Sequence, residues 1–331
     1  MRRRFLCIAA LALLAAGPAF AEPLTIRIGW VVVPPELTPV LFQKPGVARH
    51  YGTSYVLEPS RFQASTRIVT ALATGELDVA PLTSSTLASL VLNAHMDDIR
   101  IVADEFQDGV DDYYTTPYMV RKDGPVKTIE DLKGRVIATN GIGSSIDMGL
   151  RAMLKRHGLE DKRDYTTVEV QFPNMKAMLG DRKVDLVMVP AIFAYDPALQ
   201  EMSRVLFTQK EALGKSDMVV WSARAGFIQK NRAALVDFIE DALRATRWYT
   251  DSANHGEAVK IVSDFTKLPP ERLGWAFTRK DQYRDPGLRP DLAALDRNMK
   301  TQHELGFIKD TFDVKKYVDL SLLDEAAKRV K

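Results

Sequence analysis

The chain has 331 residues, with 45 Lys+Arg against 43 Asp+Glu and a formal charge of +2. With 46% hydrophobic and 27% charged residues it has ordinary globular composition, and the near-balance of charge excludes the basic surface of a nucleic-acid binder. A chain of this length is comfortable for two lobes and long for one core.

Arg2-Arg3-Arg4, the apolar run Phe5–Ala16 and the small-x-small site Ala19-Phe20-Ala21 form the pattern of a cleavable signal peptide over residues 1–21. The apolar run is shorter than the ~20 residues that span a bilayer, which argues against an anchor. The mature chain is expected to begin at Glu22 and to carry a net charge of −1, because three arginines leave with the leader. The only cysteine, Cys7, lies inside the leader and away from the cleavage point, so neither a lipid anchor nor a disulfide is expected.

Leu24–Trp30 alternates apolar and polar residues as a strand does, and Pro34-Pro35 predicts a helix start running to about His50. A strand at Ser54–Glu58 precedes a helix at Arg61–Thr74, with Phe62, Ser65, Val69 and Leu72 on one face and Gly75 at its end. Val79–Leu82, Thr83–Asn93 and Ile99–Phe106 follow as strand, helix and strand. The acidic turn Gln107–Asp112 then leads into Tyr113–Arg121, a strand that crosses into a new unit. There the pattern restarts with a strand at Arg135–Thr139, a turn at Asn140–Gly143 and a helix at Ser144–His157. Thr166–Phe172, Asn174–Gly180, Val184–Val189, Ala191–Gln200 and Arg204–Phe207 continue the alternation. Ser216–Ser222 reads as the return crossing, and Asn231–Thr250 is the most strongly periodic helix.

This alternation predicts an α/β protein of two lobes, each a mostly parallel sheet flanked by helices, joined by two crossing segments near 113–118 and 214–221. Residues 22–114 and 219–331 are assigned to lobe 1 and residues 115–218 to lobe 2. The C-terminal helices are expected to pack back on lobe 1.

Open parallel sheets bind ligands beyond the carboxyl ends of their strands, where helix N-termini present free N–H groups. Trp30 stands at the end of the first strand. Ser84 and Ser85 begin a helix after the third, and Gly143, Ser144 and Ser145 follow the first strand of lobe 2. Tyr113 and Tyr114 lie where the first crossing passes the cleft, and Phe172, Pro190 and Tyr195 follow strands of the second lobe. Competing roles exist for each: Ser144-x-x-Asp147 fits a capping box, and Trp30 suits a core equally well. Arg61 and Arg67 are candidates for an anionic headgroup, against the plainer reading as solvated helix charges.

Nothing points to catalysis. The mature chain has no thiol nucleophile, and His50, His95, His157, His255 and His303 are scattered without ligand spacing, so neither a metal nor a cofactor is expected. Gly141-x-Gly143 lacks the third glycine of a dinucleotide fingerprint, and no Gly-x-Ser-x-Gly elbow occurs.

Leu24–Trp30, Ala71-Leu-Ala-Thr-Gly75-Glu-Leu-Asp78, Ile129-Glu-Asp-Leu-Lys-Gly134, the Gly143-Ser144-Ser145 helix and Lys183-Val-Asp185 leading to Pro190 carry a likeness over about 25–225. Through them the chain resembles the periplasmic binding proteins of ABC importers for aliphatic sulfonates, taurine and nitrate, whose fold is shared by pyrimidine-precursor binding proteins. The resemblance implies a type II periplasmic binding protein fold, with Ser84, Ser85, Ser144 and Ser145 near the ligand. It implies a periplasmic monomer that captures a small anionic organic solute by hinge closure and delivers it to an importer permease in the inner membrane. Val31-Val32-Val33-Pro34-Pro35 and Pro190-Ala191-Ile192-Phe193 depart from the more polar loop and tryptophan-containing segment of better-known members, which favours a larger or partly apolar acid, such as an aromatic one. A pyrimidine-precursor binder, or an enzyme or sensor on the same scaffold, is the alternative.

Overall fold

The computed structural model describes residues 22–330. Up to the first crossing the chain forms strands β1 (Leu24–Trp30), β2 (Tyr55–Arg61), β3 (Val79–Leu82) and β4 (Ile99–Asp108). Beyond it lie β5 (Pro117–Arg121), β6 (Val136–Thr139), β7 (Thr166–Glu169), β8 (Leu186–Met188) and β9 (Ser203–Thr208), and the return crossing is β10 (Ser216–Arg224). They build two five-stranded sheets, ordered β2-β1-β3-β10-β4 and β7-β6-β8-β5-β9. In the first sheet β1 pairs in parallel with β2 and β3, while β10 runs antiparallel to both β3 and β4. The second sheet repeats this arrangement, with β5 antiparallel to β8 and β9. Each sheet is thus mostly parallel, and the strand that arrives from a crossing is the one that runs backwards.

Inward positions of β1 explain its strand character: Ile26 and Ile28 are fully buried, while Arg27 points outward and grips Asp78 through its backbone N–H and guanidinium. The helices alternate with the strands. They are α1 (Ser65–Ala73), α2 (Ser84–Ala88, prolonged by a π-helical turn at Ser89–Asn93), α3 (Ser145–Arg156), α4 (Phe172–Gly180), α5 (Ala191–Ala194), α6 (Pro197–Met202) and α7 (Gln209–Leu213). After β10 come α8 (Ala225–Lys230), α9 (Arg232–Thr250), α10 (His255–Thr266), α11 (Leu292–Glu304) and α12 (Ser321–Arg329). Helix α9 covers the first sheet: its Phe238 packs on Trp221 of β10 and Tyr55 of β2, all essentially buried. Its Asp241 accepts the backbone N–H groups of Arg49 and His50, both at 2.8 Å, and the Tyr55 hydroxyl. Among the described residues no helix is long and apolar enough to cross a membrane.

Two expectations are corrected. Residues 34–50 form no helix but a chain of turns, closed by Glu36 N–H to Val32 O and Val40 N–H to Leu37 O. Prolines at 34, 35, 39 and 45 bar their predecessors from helical geometry, and Leu37, Val40 and Leu41 reach the core from the turns instead. The helix expected over Ala191–Gln200 is two short ones, because Asp196 caps the second through Leu199 N–H and Pro197 cannot continue the first. The fold also gathers what the sequence scatters: His50 lies 3.3 Å from Glu240 and 3.9 Å from Asp237. Arg329 and Arg244 already pair with those carboxylates, so the cluster is an ion-pair network tying the 49–54 loop and α12 to α9.

Candidate functional site: the cleft between the sheets

The chain segments leaving β1, β2 and β3 meet those leaving β6, β7 and β8 around a partly open cavity. Lobe 1 supplies Val31, Val32, Pro35 and Glu36 after β1, Ser65 in the first turn of α1, and Thr83 at the N-cap of α2. Lobe 2 supplies Asn140, Ser144, Ser145 and Ile146 after β6, Phe172 after β7 and Pro190 after β8. The crossing strands form the floor with Phe106, Met218 and Val219, beside Thr116 and Gln282. This is the position at the carboxyl ends of strands where such sheets bind ligands.

The helix ends differ in what they leave free. In α1 the N-cap is Ala64, which offers no side-chain cap, so its opening N–H groups have no side-chain acceptor among the described residues. At α3 the Ser144 hydroxyl accepts from Asp147 N–H at 3.3 Å and donates to Asn140 Oδ1 at 3.1 Å. Asp147 in turn accepts Gly143 N–H at 2.9 Å and Arg151 at 2.8 Å. Ser144 therefore caps α3 and faces the cavity as well. Thr83 and Thr86 cap α2 reciprocally. Among the described residues Gln282 Oε1 has no hydrogen-bond partner and is buried at the wall. Hydroxyls, amides and the one carboxyl of Glu36 make up the polar lining, and the remaining walls are apolar.

Of the residues singled out from sequence, Ser144, Ser145, Phe172 and Pro190 line this cavity. Gly143, at φ +84°, supports the turn beside it. Ser84 and Ser85 are buried behind Thr83, with the Ser85 hydroxyl 3.0 Å from that of Thr83. Trp30 packs edge-on against Phe265 at 5.6 Å and carries Arg61 over its ring. Tyr113 packs on Tyr283 at 5.1 Å. Tyr114 and Tyr195 form an aromatic run with Trp275, anchored by hydroxyl bonds to the carbonyls of Val189 and Lys280. Glu36, Ser65, Thr116 and Gln282 were not anticipated; the Ala64-Ser65 helix start is the one with a sequence signal, a serine opening an apolar-periodic run.

Several acids of β4, β10 and the turns after β1 are buried. Burial, and then the neighbouring Glu105, push the Glu36 carboxyl well above the usual range, while its backbone partners Val31 and Val32 oppose the shift. Burial lifts Glu105 to about 7 against its bond from Thr38 and the charge of Arg284. Asp104 of β4 and Asp217 of the adjacent β10 share a buried environment, where burial raises Asp217 to about 7 and burial plus Asp217 raises Asp104 well above its normal value. At the crossing, burial lifts Asp108 to about 6 although Thr115 and Thr116 donate to it. A carboxyl raised in the folded state stays protonated while the unfolded chain ionises above about pH 4, so its effect is to lower stability as pH rises from there to about 7. The Tm of the ligand-free protein should therefore be higher at pH 5.5 than at pH 7.5, with net proton uptake on folding. A flat profile across that interval would show that these carboxyls are not held protonated.

A sequence profile of the NMT1-like family matches residues 19–263, most of the chain. The chain belongs to the NMT1-like family. Among solved structures, the alkanesulfonate-binding protein SsuA from Xanthomonas axonopodis pv. citri, bound to MOPS, superposes on this NMT1-like chain with a TM-score of 0.71 at 18% identity, covering 90% of this chain and 99% of that one. The periplasmic nitrate-binding protein NrtA from Synechocystis PCC 6803 gives 0.71 at 16%, over 94% of this chain and 90% of that one. The desulfurization enzyme DSZB gives 0.64 at 14%, over 92% and 99%. No curated protein sequence matches the chain. At such identities the structural likeness establishes the fold: this NMT1-like protein has the two-lobed architecture of periplasmic binding proteins, as the resemblance read from its sequence implied.

Proposed function

We propose that this protein is the periplasmic substrate-binding component of an ABC importer, capturing a small organic anion with an apolar body between its lobes. The observation that carries this reading is the cavity itself, where the uncapped start of α1 in lobe 1 opposes the Ser144-Ser145 start of α3 in lobe 2. Free N–H groups and the positive ends of helix dipoles favour a negative headgroup, and hydroxyls of Ser65 and Ser145 add donors. Val31, Val32, Ile146, Phe172 and Met218 suit an alkyl or aryl body, which fits a sulfonate- or carboxylate-bearing compound larger than taurine or nitrate. A ligand touching both lobes binds the closed arrangement better than the open one and shifts the population toward it, and the closed surface is what a permease would read. In this reading residues 22–114 and 219–331 move as one body and 115–218 as the other. The leader over residues 1–21 lies outside the described residues and would direct export of a monomer. SsuA and NrtA are the neighbours whose roles support the reading.

The test is a thermal-shift and small-angle scattering screen of the mature chain with alkyl and aryl sulfonates and carboxylates, taurine, nitrate and pyrimidines. A cognate acid at 100 times its Kd should add about 2.7 kcal/mol of stability, and it should also shrink the radius of gyration. Because DSZB shares the fold, aryl sulfinates belong in the panel with product analysis. Turnover, or stabilisation by pyrimidines and by no acid, would displace the proposal.

A further inference from the structure

The cavity does not end at its apolar waist. Past Val31, Val32 and Phe172, which line both chambers, the cleft opens into a second space. Arg61 and Gln63 enter it from lobe 1, at the end of β2, and Gln171 enters from lobe 2, at the N-cap of α4. Among the described residues no cation lines the inner chamber. The outer chamber has Arg61, whose guanidinium lies 5.7 Å from the Trp30 ring centre and has no carboxylate within ion-pair distance among the described residues. The next cations along the cleft, Lys176 and Arg272, are both engaged by the carboxylate of Asp196, at 3.1 and 2.8 Å. An unpaired guanidinium stacked on an aromatic ring, flanked by two amides and facing a cleft, is a fork for a planar anion.

We infer that the cleft takes a bifunctional acid: one acidic group seated between the starts of α1 and α3, an apolar spacer across Val31, Val32 and Phe172, and a second anionic group on Arg61 between Gln63 and Gln171. This deepens the proposed function and rests on it. The inner donors are shared by any organic acid, so the inner chamber sets whether an acid binds and the outer chamber sets which one. The waist makes the spacer's length and thickness selective, and Arg61 rewards a ligand only when the spacer lets its far end arrive.

Calorimetric titration with matched probes tests this: straight-chain monocarboxylates against α,ω-dicarboxylates of increasing length, and aryl monoacids against aryl diacids, each with the wild-type chain and with Arg61→Gln. Arg61 is exposed and unpaired, so the variant should keep the wild-type Tm. A diacid of matching length should bind about tenfold or more tighter than its monoacid, and Arg61→Gln should abolish that advantage while leaving monoacid affinity unchanged. Equal affinities for monoacids and diacids of every length, with an acid still bound, would overturn the outer subsite and leave the proposed function standing. A fall in monoacid affinity equal to that of the diacid would also overturn it, because Arg61 would then serve the inner headgroup. Failure of every acid to bind would remove both proposals together.

Discussion

Gly141→Ala should hold the lobes apart and weaken ligand binding by about 10- to 100-fold, the equivalent of the roughly 1–3 kcal/mol that overpacking a close contact costs. Gly141 opens the loop between β6 and α3, and a Cβ placed there would stand 2.6 Å from the Cβ of Ala64 and 3.2 Å from the Thr66 hydroxyl. Those two residues belong to the other lobe, at the start of α1. Carbon atoms in contact need roughly 3.5–4.0 Å, so the lobes must part by about 1 Å at this point. Gly141 does not occupy the left-handed region, so alanine suits its backbone and the conflict lies across the cleft. The cost falls on the apposed arrangement and spares each lobe, so the ligand-free Tm should barely move. Titration calorimetry gives the affinity and scattering gives the compaction. Wild-type affinity together with full compaction in the variant would mean that the two loops do not have to meet for the ligand to be held.

Arg284→Ala should cost about 3–5 kcal/mol of stability, because removing one partner of a buried ion pair strands the other. The Arg284 side chain is 1% exposed, and its partner Asp281, 3.0 Å away, is fully buried. The same guanidinium donates to the carbonyls of Pro34 and Pro35 at 2.6 and 3.1 Å, fastening the turns after β1 to a segment 250 residues later in the chain. Alanine would leave a buried carboxylate and two carbonyls short of a donor. Val31, Val32, Pro35 and Glu36 on one side of this clamp and Gln282 on the other all line the cavity, so ligand affinity should fall with stability. Urea unfolding measures the loss, and a change below 1 kcal/mol would show that water replaces the guanidinium at little cost.

Much of the fold is legible because burial leaves a period in the sequence. Leu24–Trp30 alternates since one face meets the core, and the α9 stripe of Leu235, Phe238, Ile239 and Ala242 repeats every three to four residues since one side meets the sheet. The turns at 34–50 misled because Pro34-Pro35 suits a helix start, yet further prolines at 39 and 45 forbid the helix itself, and Leu37, Val40 and Leu41 are buried from turns. The pairing of β10 between β3 and β4 leaves no local mark at all. At the site, Gly141-Ile-Gly143-Ser144-Ser145 was readable because a turn and a cap have their own chemistry. Glu36 and Gln282 were not, since nothing near either in sequence says that Arg284 will bring them together. Of the aromatic candidates, Trp30, Tyr113 and Tyr195 pack their rings on Phe265, Tyr283 and Trp275, contacts between distant segments that leave no local pattern.

The place of β10 also constrains biogenesis. Every strand of the second sheet comes from one uninterrupted stretch, Pro117 to Thr208, so that half can assemble on its own as soon as it is made. The first sheet must instead keep a vacant slot between Val79–Leu82 and Ile99–Asp108 until Ser216–Arg224 emerges more than a hundred residues later. Until then two unpaired edges face each other, and any stray extended segment could fill them. The half synthesised first is the half completed last, and a holdase or rapid chain delivery is what would protect it in the interval.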